Sequence, residues 1–172
     1  MLNRCILIFT EFENTEKIKE LREKYDPVVD KVAPHITLVF PFESDIKADK
    51  IREHIEKNIK GIDHFEIKLQ GITGESDNYL FLNVIKGKDE LSELHNRLYT
   101  DILEEFKPDF LKSVKFKPHL TVGKIDSDEG FARALKDTEN FTEVFKTVVK
   151  KITVEIIGEN NESIIESEIE LN

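Results

Sequence analysis

A single cysteine is the first shortage in this 172-residue sequence, and it excludes an internal disulfide. Cys5 lies in an apolar segment and reads as a small buried hydrophobe, not a nucleophile. Long hydrophobic runs are also missing: none approaches the ~20 residues that a membrane-crossing helix needs. Met1–Phe9 has one basic residue and then a short apolar stretch. That stretch stops at Thr10-Glu11 with no small-residue cleavage site, so it reads as a first strand and not as a signal peptide. A cytoplasmic location is expected, with no membrane partner. Positive charge is in deficit, with 25 Lys and Arg against 35 Asp and Glu and a net charge of -10. The deficit argues against broad binding to duplex nucleic acid, which needs many cationic phosphate contacts. It leaves room for a small phosphate-bearing molecule or an RNA end in a locally basic cleft. There is no low-complexity tract, no evident linker, no Cys cluster, no His-Glu-x-x-His zinc motif and no glycine-rich phosphate loop.

Apolar residues make up 39% of the chain, an ordinary globular share that can bury a core. Hydrophobic periodicity predicts strands over 4–10, 35–40, 65–72, 79–85, 119–125, 144–157 and 163–171. It predicts helices over 15–25, 48–60, 89–106 and 129–136, with Asn14 or Thr15 as a cap, Gly61 as a stop and Pro108 ending the longest. Pro41 is expected to end the second strand. Gly71 and Gly74 read as turn punctuation. Each half of this order runs as a strand, a helix and a strand pair, which suggests duplicated lobes.

One segment occurs twice: Pro34-His35-Ile36-Thr37-Leu38 and Pro118-His119-Leu120-Thr121-Val122. Residues two apart on a strand face the same side. His35 and Thr37 therefore point together, with Ile36 and Leu38 turned into the core; His119 and Thr121 match them, opposite Leu120 and Val122. Each proline suits a strand's first position, where no ladder donor is needed, and holds the residue before it extended. Five histidines and this threonine content give roughly 0.3 chance His-x-Thr matches per chain. Two matches with the same neighbours are therefore not coincidence. Two imidazoles facing one cleft can divide proton transfer: a neutral one takes a proton from water and a protonated one gives a proton to the leaving oxygen. An ordinary pKa near 6.5 suits both tasks. Threonine hydroxyls can donate to non-bridging phosphate oxygens.

These paired motifs resemble those of the two-histidine (2H) phosphoesterase superfamily, which includes 2′-5′ RNA ligase-like proteins and cyclic nucleotide phosphodiesterases. The resemblance covers nearly the whole chain. It implies an α+β fold: residues 1–172 as a single domain of two intertwined, pseudo-symmetric lobes, each a mostly antiparallel sheet with outer helices, around a central cleft. It implies hydrolysis of 2′,3′-cyclic phosphates, or cleavage and joining of 2′-5′ linkages, without metal, ATP or other cofactor. His35 and His119 carry over as catalytic residues, and Thr37 and Thr121 as phosphate-binding ones. The expected partner is a nucleotide or RNA-end substrate of a monomeric enzyme.

Beyond the motif, Phe42 is a candidate for stacking on a base, and Lys115 and Lys117 are candidate substrate contacts. Lys112, Lys115, Lys117 and Lys124 surround the second motif as a candidate phosphate-attracting rim. Phe40 and Phe116 have core parity. His54, His64 and His95 read as surface or packing residues. The same cleft could instead bind a nucleotide or RNA end without catalysis. A metal-dependent hydrolase fits less well, since two His and two Thr make a poor metal shell.

Overall fold

Alternating apolar residues set down eight strands, which a computed structural model, describing all 172 residues, joins edge to edge. They are β1 (Leu2–Phe9), β2 (His35–Ser44), β3 (Phe65–Glu75), β4 (Tyr79–Lys86), β5 (His119–Lys124), β6 (Phe145–Val149), β7 (Lys151–Ile157) and β8 (Ser163–Glu170). The order across the sheet is β6-β3-β4-β5-β2-β1-β7-β8, with every neighbouring pair antiparallel. At the centre β2 and β5 pair through Ile36 and Leu120 alone. The sheet is thus two four-stranded halves hinged on one residue pair, and the fold is α+β and bilobal.

The halves are not the two halves of the sequence. One takes β1 and β2 from the start of the chain and β7 and β8 from its end; the other is β3 to β6. The helices exchange sides as well. α1 (Thr15–Tyr25) follows β1 yet packs on β5, and α3 (Lys88–Leu98) follows β4 yet packs on β2. α2 (Ala48–Asn58) lies against α3 and β8, α5 (Asp128–Thr138) lies against β3, and a single turn, α4 (Phe110–Ser113), precedes β5. Their apolar faces bury Ile36, Leu38, Leu120 and Val122 completely. No helix is long and apolar enough to cross a membrane.

Several boundaries differ from the periodicity. The segment 144–157 is two strands broken at Lys150: β6 pairs with β3, and β7 with β1. Both pieces keep strand alternation, so only tertiary pairing marks the break. The helix expected over 89–106 stops at Leu98; Thr100 is extended, and Asp101, at φ 46°, starts a 3-10 turn over Asp101–Phe106. β2 runs through Pro41, because a bulge shifts the β1–β2 register between Arg4/Phe42 and Ile6/Val39, and no ladder donor is needed there. Asn14 precedes α1 without capping it by its side chain, which bonds to the Val144 carbonyl instead (3.2 Å). Gly74 lies inside β3, where a Cβ would stand 2.6 Å from the Phe131 ring of α5. Cys5 is buried and donates to the Val39 carbonyl (3.3 Å), and burial pushes its thiol up to about 12.

Candidate active site

The one bridge between the halves lies inside both motifs, because Ile36 separates His35 from Thr37 and Leu120 separates His119 from Thr121. Antiparallel register about that bridge sets His35 beside Thr121 and Thr37 beside His119. Each imidazole is therefore matched with a hydroxyl from the opposite half. All four side chains are half-buried on the face away from Ile36 and Leu120.

The two rings are held alike. His35 Nδ1–H donates to the Ala33 carbonyl (2.8 Å), and His119 Nδ1–H to the Lys117 carbonyl (2.7 Å). Each acceptor precedes the motif proline, which keeps that residue extended. With a carbonyl fixing Nδ1 as the donor, Nε2 is the nitrogen left to exchange a proton. Burial is the main force lowering both rings from the usual histidine value, and it brings His119 to about 4. The Lys117 cation and His35 lower His119 further, while Glu75 opposes them. Around His35 the Glu155 and Asp26 carboxylates work against burial, and Arg22 works with it.

Apart from Lys124, the neighbours that shape these rings were not among the sequence candidates. Phe81, paired with Thr121, stacks on His119 at 3.4 Å and 11°. Phe9, paired with His35, meets it edge-on at 6.3 Å. Asn83 pairs with His119 and donates to the Gly71 carbonyl (3.0 Å). Tyr79 and Lys124 lie further along the same strands, with the Lys124 ammonium 4.7 Å from the Tyr79 ring centroid. One signal for this set was readable: β4 alternates Tyr79, Phe81 and Asn83 with the aliphatic Leu80, Leu82 and Val84.

Of the candidate contacts, Lys117 reaches this site: it is ion-paired with Glu75 and 5.9 Å from the Phe81 ring centroid. Lys115 is exposed two residues earlier. Phe42 is a correction. It is buried against Phe106 at 5.1 Å, on the helix side of the sheet. Buried there, it cannot stack on a ligand in the cleft. Among the other histidines, His64 is exposed; His54 is buried and bonded to the Leu98 carbonyl (2.9 Å).

His95 wedges the fork open. Beyond Ile36 the next ladder groups of β2 facing β5 are the Leu38 carbonyl and the Phe40 amide. His95 Nδ1–H donates to the first (2.7 Å), and the Tyr99 hydroxyl accepts from the second (2.9 Å). Phe116 stacks on His95 at 3.9 Å and fills the gap. Two side chains at the end of α3 thus replace the strand that would have continued the sheet. No group of three His, Cys, Asp or Glu side chains is gathered anywhere as a metal site.

Chains of similar sequence and fold are known. A protein of Bacillus licheniformis provisionally named a phosphoesterase is 27% identical over 127 residues, 72% of each chain. One of Staphylococcus aureus, strain Newman, with the same provisional name, is 28% identical over 121 residues, 67% of each. Among solved structures, a Thermus thermophilus protein matches with a TM-score of 0.68 at 14% identity, over 99% of this chain and 98% of that one. Escherichia coli LigT in complex with 3′-AMP matches with 0.65 at 17%, over the same shares. These structures share the fold. Residues 10–161 match the profile of the 2′-5′ RNA ligase superfamily, and on that match the chain belongs to this superfamily of two-histidine phosphoesterases.

Proposed function

We propose that the protein is a metal-independent phosphodiesterase that opens 2′,3′-cyclic phosphates or cleaves 2′-5′ linkages at nucleotide or RNA ends by two-histidine acid–base catalysis. The observation that carries the reading is the cross-matched set of His35 with Thr121 and His119 with Thr37, each ring fixed through Nδ1 with Nε2 left free. Two imidazoles and two hydroxyls are a proton-transfer and phosphate-binding set, not a metal shell. In hydrolysis of a cyclic phosphate, one Nε2 takes a proton from water as its oxygen bonds to phosphorus. The bond from phosphorus to the 2′- or 3′-oxygen breaks, and the other Nε2 protonates that oxygen. Thr37 and Thr121 donate to the non-bridging oxygens. Either imidazole can serve as the base and the other as the acid: burial disfavours protonation of both, and carboxylates counter that effect at both, Glu75 at His119 and Glu155 and Asp26 at His35.

The test is a panel of 2′,3′-cyclic nucleotides, cyclic-ended oligonucleotides and 2′-5′ dinucleotides, assayed with and without chelator. Turnover should survive chelation. His35→Ala and His119→Ala should each lower the rate by about 10²–10⁴. Near-normal turnover in either variant would sink the mechanism, and tight binding without product from any substrate would favour a non-catalytic nucleotide or RNA-end sensor.

A further inference from the structure

The segment that leads into the second motif borders an open cavity of about 430 Å³, within the range of small-molecule sites. It lies behind the cleft. Ser92, His95 and Asn96 of α3 form one wall, and the floor is Phe116, whose parity is that of the buried Pro118 and Leu120. It exists because β2 and β5 diverge. His95 and Phe116 plug the fork, and residues 107–116 arch over the outside of the plug.

The charge of this cavity is opposite to that of the molecule. Lys107, Lys112 and Lys115 line it, and no lining residue is acidic, in a chain of net charge -10. Lys112 is paired with the outward Asp109 at 2.5 Å. Lys107 and Lys115 have no carboxylate partner; the Lys107 ammonium rests 5.7 Å from the Tyr99 ring centroid. Like charges gathered around one cavity repel, and a bound anion relieves that repulsion. Ser92, Ser113 and Asn96 line the same cavity with neutral hydrogen-bonding groups.

We propose that this cavity is a second phosphate site, separate from the cleft, for a small anion carrying two or more linked phosphate groups, such as pyrophosphate or a nucleoside polyphosphate. Lysines bind phosphate as point charges, and two unpaired ammonium groups match two phosphate groups better than one. A polynucleotide fits less well, because the lining offers three cations in a chain of net charge -10. The floor is three residues from His119, and Lys117, whose carbonyl holds that ring, lies between.

Calorimetric titration of the full chain with pyrophosphate and with ATP tests the proposal without any need for turnover. Orthophosphate and a hexa-adenylate RNA are the comparison ligands. Pyrophosphate should bind His35→Ala/His119→Ala within about twofold of the unaltered protein, and Lys107→Ala/Lys115→Ala about tenfold or more weakly. Lys115→Glu alone should weaken it by a similar factor. Unchanged affinity in the lysine variants, or loss of binding in the histidine variant, overturns the proposal. Saturation only above ~10 mM means an adventitious ion only and overturns it too. So does hexa-adenylate binding more tightly than ATP, which would make the cavity part of an RNA path.

Discussion

His35 and His119 share a backbone contact yet keep different company, and single residues account for the difference. His119 has a phenyl ring against its face, a lysine beside it and a glutamate behind the lysine. Phe81 acts as a positioning residue: it excludes water from one face of the imidazole and fixes the plane of the ring. Phe81→Ala should lower kcat about tenfold through lost alignment. It should also raise the ionisation of His119 towards the ordinary value as water reaches the ring. If His119 is the base, the acid limb of the kcat/KM profile moves to higher pH. Phe81→Tyr should restore both. Lys117→Met should move the same limb up, since the cation opposes protonation, and Glu75→Gln should move it down. A purely structural role for Phe81 would change the yield of folded enzyme and leave the limb in place. Both rings are lowered in the free protein, so the kcat/KM maximum should lie below pH 6.5. The kcat optimum should lie higher, because a bound phosphate anion stabilises the imidazolium.

At the scale of elements, the segment before each motif matters as much as the strand that bears it. Residues 26–34 carry Ala33, whose carbonyl holds His35, and they are braced by a buried pair. Arg22 meets Asp26 at 2.7 Å, both almost fully buried, and also donates to the Val32 carbonyl (2.8 Å), while Asp26 accepts from the Val28 amide (3.0 Å). Arg22→Met leaves a buried carboxylate without its partner and should cost about 3–5 kcal/mol. Arg22→Met/Asp26→Leu should recover most of that stability in urea unfolding. It should not recover kcat, because Val32 and Ala33 stay unbraced. Recovery of both would make the pair purely structural. This brace was invisible in the sequence: Arg22 has helical spacing with Ile18 and Leu21, but nothing local says that its guanidinium turns inward. The motif strands were legible because their information is short-range, a two-residue alternation beside a proline. The break at Lys150 and the end of α3 at Leu98 were not. Apolar spacing continues across both, and the deciding contacts are β7 with β1 and Tyr99 with Phe40, far apart in sequence. Nor was the side taken by Phe42 legible, because the strand was expected to end at Pro41 and two register shifts between Thr37 and Phe42 decide which face that ring takes.

At the scale of the molecule, the exchange of strands and helices between the halves should make unfolding one event, and it buries titratable groups at the join. His95 sits where α3, β2 and the segment before β5 meet, almost fully buried, and burial lowers it to about 4. His119 is lowered to a similar value. A histidine lowered in the folded state binds fewer protons than in the unfolded chain between its folded value and about 6.5. Stability from these groups is therefore complete above pH 6.5 and is lost as pH falls towards 4. For His95 the loss is on the order of 2 kcal/mol, a sizeable part of a domain's total. His95→Asn places an amide donor near the position of Nδ1, so it can still bond to the Leu38 carbonyl, but it cannot take up a proton. The variant should lose some stability at pH 7 through the missing stack on Phe116. It should also show a fall between pH 7 and pH 4.5 smaller than the unaltered protein's by about that same 2 kcal/mol. Urea midpoints at the two pH values measure both quantities. An equal fall in the two proteins would place the acid sensitivity of that range with His119 and not with His95. The carboxylates that Lys117, Lys86 and Lys57 hold below their usual range do not contribute to it, because they give up their stability only below the ordinary carboxylate value, near pH 4.5.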